Sequence, residues 1–285
     1  MERHGREYAP MHFGPTAAQE QLRERVRTFL AAASPPAEVR RLMEDDLGHD
    51  PGVWAAIGEL GLLDHGLGWV ERAVVLEEAG AVLLGAPYLS TVTAAPFLAP
   101  DARPRIATLA IAEASGSWEA SGVQARAAGP PWRLEGEKSY VVDGLSAGVL
   151  VVAARRDDTG DVALFQVDAG APGLDRVPLP TVDRTRRQAR VTLRATPARL
   201  LDGSVDAAAD LCAVALAAEQ VGGTQRCLDM AVDHARRRVQ FGRPIGSFQA
   251  VKHLCAAMLL ELESARSAAF YAASALARSA GDLPA

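Results

Sequence analysis

Apolar and polar positions along the chain change their period twice. From Pro15 to about Pro100 the spacing is helical. In AAQEQLRERVRTFLAAA, residues Leu22, Val26, Phe29 and Leu30 share one stripe, with Glu20, Arg23, Glu24 and Arg27 opposite. That three-and-four spacing is the mark of an amphipathic helix. Thr16 is placed to cap it, with Gln19 three residues on as in a capping box. DPGVWAAIGELGLLDHG predicts a short helix opened by Asp50 and Pro51 and closed at Gly61 or Gly66. VERAVVLEEAGAVLLG predicts a third.

From about Ile106 to Leu201 the period shortens to that of strands. GVLVVAA and VALFQV flank a polar run from Arg155 to Gly160, which reads as strand, turn, strand. WRLEGEKSYVVDG breaks at Glu135-Gly136 into two short runs, as a hairpin would, and APGLDRVPL and QARVTL supply further strands. No helical period interrupts them, so the unit is expected to be antiparallel and not a βαβ sheet. No Gly-x-Gly-x-x-Gly occurs anywhere, which disfavours a Rossmann site.

From Asp206 the period is helical again. Leu211, Val214, Ala218, Val221, Leu228, Val232 and Ala235 recur at spacings of three and four, with Gln225 the one polar member. They predict a helix of about eight turns. Gly222-Gly223 inside it costs up to ~1 kcal/mol each against alanine. Either another backbone or a ligand comes close there, or the helix is weak in its middle. Gly242 reads as the helix end and Ser247 as the cap of the next helix, whose expected buried stripe is Val251, Leu254, Cys255, Met258 and Leu262. The fold class is therefore α+β multidomain: an extension 1–10, an N-terminal helical domain 11–104, a middle antiparallel β-domain 105–202 and a C-terminal helical bundle 203–285. A cofactor is expected where sheet meets helices.

Composition narrows the function classes. Half of the 285 residues are apolar (49%), enough for a real core, and the formal net charge is −5. An acidic balance argues against a nucleic-acid binder, which works by neutralising phosphates. Cys212, Cys227 and Cys255 lack Cys-x-x-Cys spacing and read as small buried hydrophobes, with no metal set. The opening MERHGREYAP has no apolar core, and the most apolar tract is broken by Pro87 and Pro96. A soluble, cytoplasmic protein without a membrane span is expected.

The chemistry concentrates in RRRVQFGRPIGSFQ, Arg236 to Gln249. Arg238 at the last turn of a long helix offers paired N–H donors that match a diphosphate better than an ammonium would. Gln249 falls in the first turn of the next helix, where free backbone N–H groups favour an anion. Together they describe one wall of a dinucleotide site. A plainer reading has the arginines complement the helix dipole and Gln249 lie at the surface.

RRRVQFGRPIGSFQAVKHLCAAM closely resembles the R-x-Q-F-G-x-P-I-x-x-F-Q signature of the acyl-CoA dehydrogenase family. AAEQVGGTQRCLDMAVDHA, MHFGPTAAQEQLRERVRTFL, VVLEEAG and RLEGEKSYVVDG are also similar to segments of that family, so the resemblance runs from Met11 to the end. It implies an N-terminal helical domain, a middle β-domain and a C-terminal four-helix bundle, assembled as a dimer of dimers with FAD at a subunit interface. It implies that Arg238 meets the FAD diphosphate of a neighbouring subunit, that Gln249 contacts the same cofactor, and that Gln240 and Phe241 belong to the same loop. The implied reaction removes an α-proton from an acyl-CoA thioester while the β-hydride goes to the flavin, with electrons passed on to an electron-transfer flavoprotein.

The chain also departs from the family pattern. The glutamate base of most members follows a Gly-Gly-x-Gly segment, and this sequence stops at SALARSAGDLPA before either, so the bundle is expected to be incomplete. Where the base sits on the first C-terminal helix instead, an ungapped count from Arg238 falls on Cys212, leaving Glu219 and Asp210 as candidate bases nearby. The T-E-P element stands as Ala112-Glu113-Ala114 and the W-I-T element as Tyr140-Val141-Val142, with Tyr140 keeping a face that can stack on a flavin. Arg184 and Arg186, with Arg187, form a basic turn that contacts coenzyme A phosphates or is simply solvated. Three functions remain: an FAD-dependent acyl-CoA dehydrogenase, a silent subunit that completes the flavin site of a heteromeric one, and a flavin monooxygenase on the same fold.

Overall fold

The computed structural model describes residues 14–64, 66–98 and 105–279. The extension 1–10, the family-like start at Met11 and the boundary at 104 lie outside the described residues. Five helices come first: α1 (Ala17–Ala33), α2 (Pro36–Glu44), α3 (Pro51–Glu59), α4 (Trp69–Ala81) and α5 (Tyr88–Ala94). Thr16 caps α1 and forms the expected box with Gln19. Asp50 caps α3 by accepting from Gly52 and Val53, and the helix stops at Gly61 (φ 73°) rather than Gly66. The sequence pattern missed α2 and α5. α2 is only nine residues behind a proline, too short for its buried Val39 and Leu42 to stand out as a repeat, and α5 is buried at every position and shows no stripe.

The middle of the chain forms β1 (Ala107–Ala110), β2 (Arg126–Ala128), β3 (Arg133–Val142), β4 (Val149–Arg156), β5 (Val162–Asp168), β6 (Leu174–Leu179), β7 (Gln188–Pro197) and β8 (Arg199–Leu200). The strand order is β6-β7-β3-β2-β4-β5-β8, with β1 beside β4. The β4–β5 hairpin stands as expected. Two expectations are corrected. The sheet is not wholly antiparallel, because β1 and β2 both run parallel to β4. Glu135-Gly136 is not a hairpin turn but a register shift inside one continuous β3. Gly136 (φ 138°) is needed there, since a Cβ would fall 2.8 Å from Ala125 Cα. Along β4, Val149, Val151 and Ala153 join one apolar cluster with Phe97, Leu98 and Leu211, while Leu150, Val152 and Ala154 join another with Leu134, Phe165 and Val191. Both faces of that strand are core, which explains its unbroken apolar run.

The C-terminal part is α6 (Val205–Arg237), the strand pair β9 (Val239–Gln240) and β10 (Arg243–Pro244), and α7 (Gln249–Ser279). At 33 residues α6 is about nine turns long, one more than the pattern predicted. Gly222 resolves its own question: a Cβ there would lie 1.7 Å from the Glu77 carbonyl oxygen, so α4 and α6 cross backbone to backbone. Gly80 is the reciprocal small residue, facing the Glu219 carbonyl. Around the crossing, Arg23 is held by Glu77 (3.0 Å) and Glu78 (2.9 Å), and Arg266 of α7 by Glu77 (3.0 Å).

Four more expectations change. Gly242 does not end α6, which stops at Arg237; it turns the β9–β10 hairpin instead. Ser247 lies in the short 3-10 turn Ile245–Ser247 before α7, which opens at Gln249. Of the predicted α7 stripe only Leu262 is buried (1%), while Leu254 is 66% exposed and Val251, Cys255 and Met258 are partly covered or open. The buried positions of α7, Leu262, Ala269 and Ala273, lie from its middle onward, where Arg266 ties it to α4. Cys227 is exposed rather than core. Among the described residues no helix is long and apolar enough to cross a membrane.

Candidate functional site

The α6–α7 connection holds four of the predicted residues together. Arg238 is the C-cap of α6: its backbone N–H donates to His234 and its carbonyl accepts from Ile245, which folds the hairpin back onto the helix end. Phe241 (φ 53°) and Gly242 (φ 77°) form the hairpin tip, with Arg243 paired across to Gln240. Phe241 is 91% exposed, its ring edge-on to Phe248, over which Arg243 sits at 4.1 Å. Arg237 turns back to Asp233, but the Arg238 guanidinium meets no acceptor among the described residues and lies exposed. Gln249 is also exposed, its Nε2 3.2 Å from His253 Nε2. That contact uses the amide nitrogen, and the amide oxygen has no partner among the described residues. Among the described residues, then, this edge presents an unpaired guanidinium, an open aromatic ring and an amide, a donor set suited to a diphosphate and its flanking groups.

Tyr140 stands apart on β3. It is 48% exposed and has φ 59°, the left-handed region that a tyrosine rarely occupies. No hydrogen bond, ion pair or ring contact joins it to the α6–α7 connection among the described residues. Next to it Lys138 is fully buried, with Nζ 2.8 Å from Glu113 Oε1. Burial alone would push the Glu113 carboxyl up, but Lys138 and the amides of Ala125 and Gln124 outweigh that and hold it below the usual range. Burial also lowers Lys138, and Glu113 only partly restores it.

The basic turn between β6 and β7 is tied to the helices. Arg184 makes a paired contact to Glu44 (2.6 and 2.9 Å), and Arg187 donates to the carbonyls of Leu42, Met43 and Asp45 at the end of α2. Arg186 reaches Glu219 of α6 at 2.6 Å. So two candidates drawn from different arguments, Arg186 and Glu219, are each other's partner. Glu219 is pushed up by burial, which outweighs Arg186, with Asp143 adding to the rise. Asp143 is likewise pushed up by burial, against the Ser90 hydroxyl that donates to it at 2.6 Å and the positive Arg186 and His49. Sequence reasoning did not single out Asp143 or Ser90; VVDG reads as an ordinary turn, and only the fold brings α5 against it. Asp210 is exposed on α6. Cys212 faces Thr93, and burial raises its thiol to about 11, so it stays protonated near neutral pH.

A cleft of about 1060 Å³ lies between α1, α4, α6 and α7, and neither Tyr140 nor the α6–α7 connection lines it. Size alone therefore does not mark the dinucleotide edge, which is an open surface on this chain. No cluster of three or more metal-ligating side chains occurs among the described residues.

Comparison with known proteins agrees with this layout. Residues 203–285 match the family model described as acyl-CoA dehydrogenase, C-terminal domain. The chain is 33% identical over 263 residues to acyl-CoA dehydrogenase IpdE2 of Mycobacterium tuberculosis, covering 89% of this chain and 74% of that protein. Among solved structures, it superposes on the ChsE4-ChsE5 complex from Mycobacterium tuberculosis with a TM-score of 0.85 at 29% identity, over 95% of this chain and 81% of the other. It superposes on the Tcur3481-Tcur3483 steroid ACAD with a TM-score of 0.82 at 28% identity, over 93% and 78% respectively.

Proposed function

Since the chain belongs to the acyl-CoA dehydrogenase family of flavoprotein oxidoreductases, we propose that it acts as one subunit of an oligomeric acyl-CoA dehydrogenase. In this reading it lends the end of α6 and the start of α7 to an FAD held across a subunit interface. The observation that carries the proposal is the exposed Arg238 guanidinium at the end of α6, without an acceptor among the described residues, followed by the exposed Gln249 that opens α7. A cation at a helix C-terminus with no acid partner among the described residues fits an incoming diphosphate. Arg238 would hold that diphosphate, Gln249 would offer its free amide oxygen to a neighbouring donor, and Phe241 would cover the hairpin side. Bound FAD would supply the two-electron acceptor for α,β-dehydrogenation of an acyl-CoA thioester, with an electron-transfer flavoprotein taking the electrons onward.

A heteromeric assembly is the second reading, and Cys212 favours it. The α6 position that would carry a base holds a protonated thiol packed on Thr93. Glu219, the nearest buried carboxyl on α6, is committed to Arg186. The proton acceptor would then come from elsewhere in the assembly, and the likeness to the ChsE4-ChsE5 complex supports a second, different chain.

Purification of the chain alone and with a co-expressed homologue tests both readings, scored by retained FAD absorbance and by dye reduction with acyl-CoA. Steroid-derived thioesters belong in that assay, because one similar structure is a steroid ACAD. Yellow protein and turnover only in the co-expressed sample support the heteromer; both from the chain alone support a homomer. Colourless, inactive protein in both preparations overturns the proposal.

A further inference from the structure

The turn between β6 and β7 reaches the helices through three arginines, and one of them meets more acid than it can balance. Arg184 faces Glu44, one cation to one carboxylate (2.6 and 2.9 Å). Arg187 donates to the carbonyls of Leu42, Met43 and Asp45, which carry no charge to neutralise. Arg186 donates to Glu219 Oε1 at 2.6 Å and also faces Asp143 of the β3–β4 turn. Asp143 in turn accepts from the Ser90 hydroxyl of α5 at 2.6 Å. Two carboxyls therefore share one guanidinium where α5, α6 and two turns of the sheet meet.

The other charged groups around the junction leave that imbalance in place. Asp183, on the same turn, adds a third carboxylate, but it is exposed and engaged by the Thr185 N–H (2.9 Å) and hydroxyl (2.6 Å). His49, buried in the loop before α3, is the other group that can bring positive charge towards Asp143. Two carboxylates around a single fixed cation favour keeping one proton between them. Burial acts in the same sense, pushing both Asp143 and Glu219 up. A recess of about 10 Å³ lies beside Asp143, lined also by His49, Ser146 and Thr185. It has room for about one water to carry a proton in and out. The acid is also tied to the contact between the turns: the Asp143 N–H donates to the Arg187 carbonyl at 2.9 Å.

We propose that Asp143, Glu219 and Arg186 form a proton-operated latch. With one proton held between the two carboxyls the junction is neutral and fastens both turns to α5 and α6. With that proton lost it carries a net negative charge, and the turns release. The latch does not rest on the flavin function proposed above.

Hydrogen exchange of the intact protein, read by mass spectrometry with labelling times scaled to the intrinsic rate at each pH, tests it. The series runs from about pH 4, the ordinary carboxylate value, to about pH 8. Protection of segments 143–147 and 185–190 is expected to fall about tenfold for each unit by which the latch carboxyl is raised, while β4 keeps its protection. Asp143→Asn keeps an acceptor for Ser90 and leaves one acid to one arginine, so protection stays level across the series. Glu219→Gln does the same should the first variant not fold, and His49→Gln keeps the wild-type fall. Level protection in the wild type overturns the latch, as does an undiminished fall in Asp143→Asn. Parallel loss in β4 also overturns it, since the junction would then open only with the whole fold. A fall abolished by His49→Gln places the proton on the imidazole and contradicts the assignment. If neither acid variant folds, a carbon-13 titration of the wild-type carboxyls decides. One carboxyl titrating above the ordinary range is expected; all of them at or below it overturns the proposal.

Discussion

The middle and the end of α6 are built on opposite terms. In its middle, at the crossing with α4, every demand is met within the chain: Gly222 and Gly80 let the backbones touch, and Arg23, Glu77, Glu78 and Arg266 pair with one another. At its end, Arg238 has no acid partner among the described residues, and the apolar Val239 and Phe241 beside it in sequence are exposed. Isolated exposed apolar side chains need no explanation, but here they flank a cation left without an acid. The contrast teaches that composition cannot separate structural from functional charge. Both places are rich in arginine, and only the presence or absence of a partner tells them apart.

The sharpest way to break the comparison is at the crossing. Gly222→Val drives a side chain into the Glu77 carbonyl and is expected to cost about 3 kcal/mol or more, read by urea denaturation; a change below about 0.5 kcal/mol would mean the helices have room to part. Next is Arg186→Met, which strands Glu219 and Asp143 without their cation. A cost of about 3 kcal/mol is expected, at the low end for a broken buried pair because both carboxyls can take up protons. At the far end of α6, Arg238→Ala should leave the unfolding curve unchanged within about 0.5 kcal/mol. It should weaken FAD binding to the assembly about 10- to 100-fold, as loss of a charged hydrogen-bonding partner does.

The smallest effect concerns pH. The Glu219 and Asp143 carboxyls are raised by burial, so the folded state binds protons more tightly than the unfolded chain. Their contribution is present in full below the ordinary carboxylate pKa of about 4 and is lost as pH rises through the raised values. Glu219→Gln should therefore flatten that decline in a series of denaturation curves. An unchanged pH slope in the variant would show that Glu219 titrates as it does in the unfolded chain.

Much of the fold was legible because apolar period and end signals agree locally. Thr16 with Gln19, Asp50 with Pro51, and the β4–β5 hairpin need only neighbours in sequence to form. The misses are positions where a distant element decides. Gly136 reads as a turn but answers to Ala125, and α5 shows no stripe because it is enclosed on all sides. The α7 stripe was read as buried from spacing, yet spacing does not say whether a covering helix arrives. For the site, Arg238 and Gln249 could be picked out because helix-end chemistry is local. That Arg186 and Glu219 are partners could not, since they lie 33 residues apart and meet only through the packing of β-sheet on α6.

The most direct test of the central claim is the structure of the assembled protein with FAD bound. The account predicts the Arg238 guanidinium about 3 Å from a diphosphate oxygen of an FAD seated mainly on an adjoining chain, with Gln249 touching the same cofactor. An Arg238 side chain left in solvent, with the dinucleotide bound elsewhere, contradicts it.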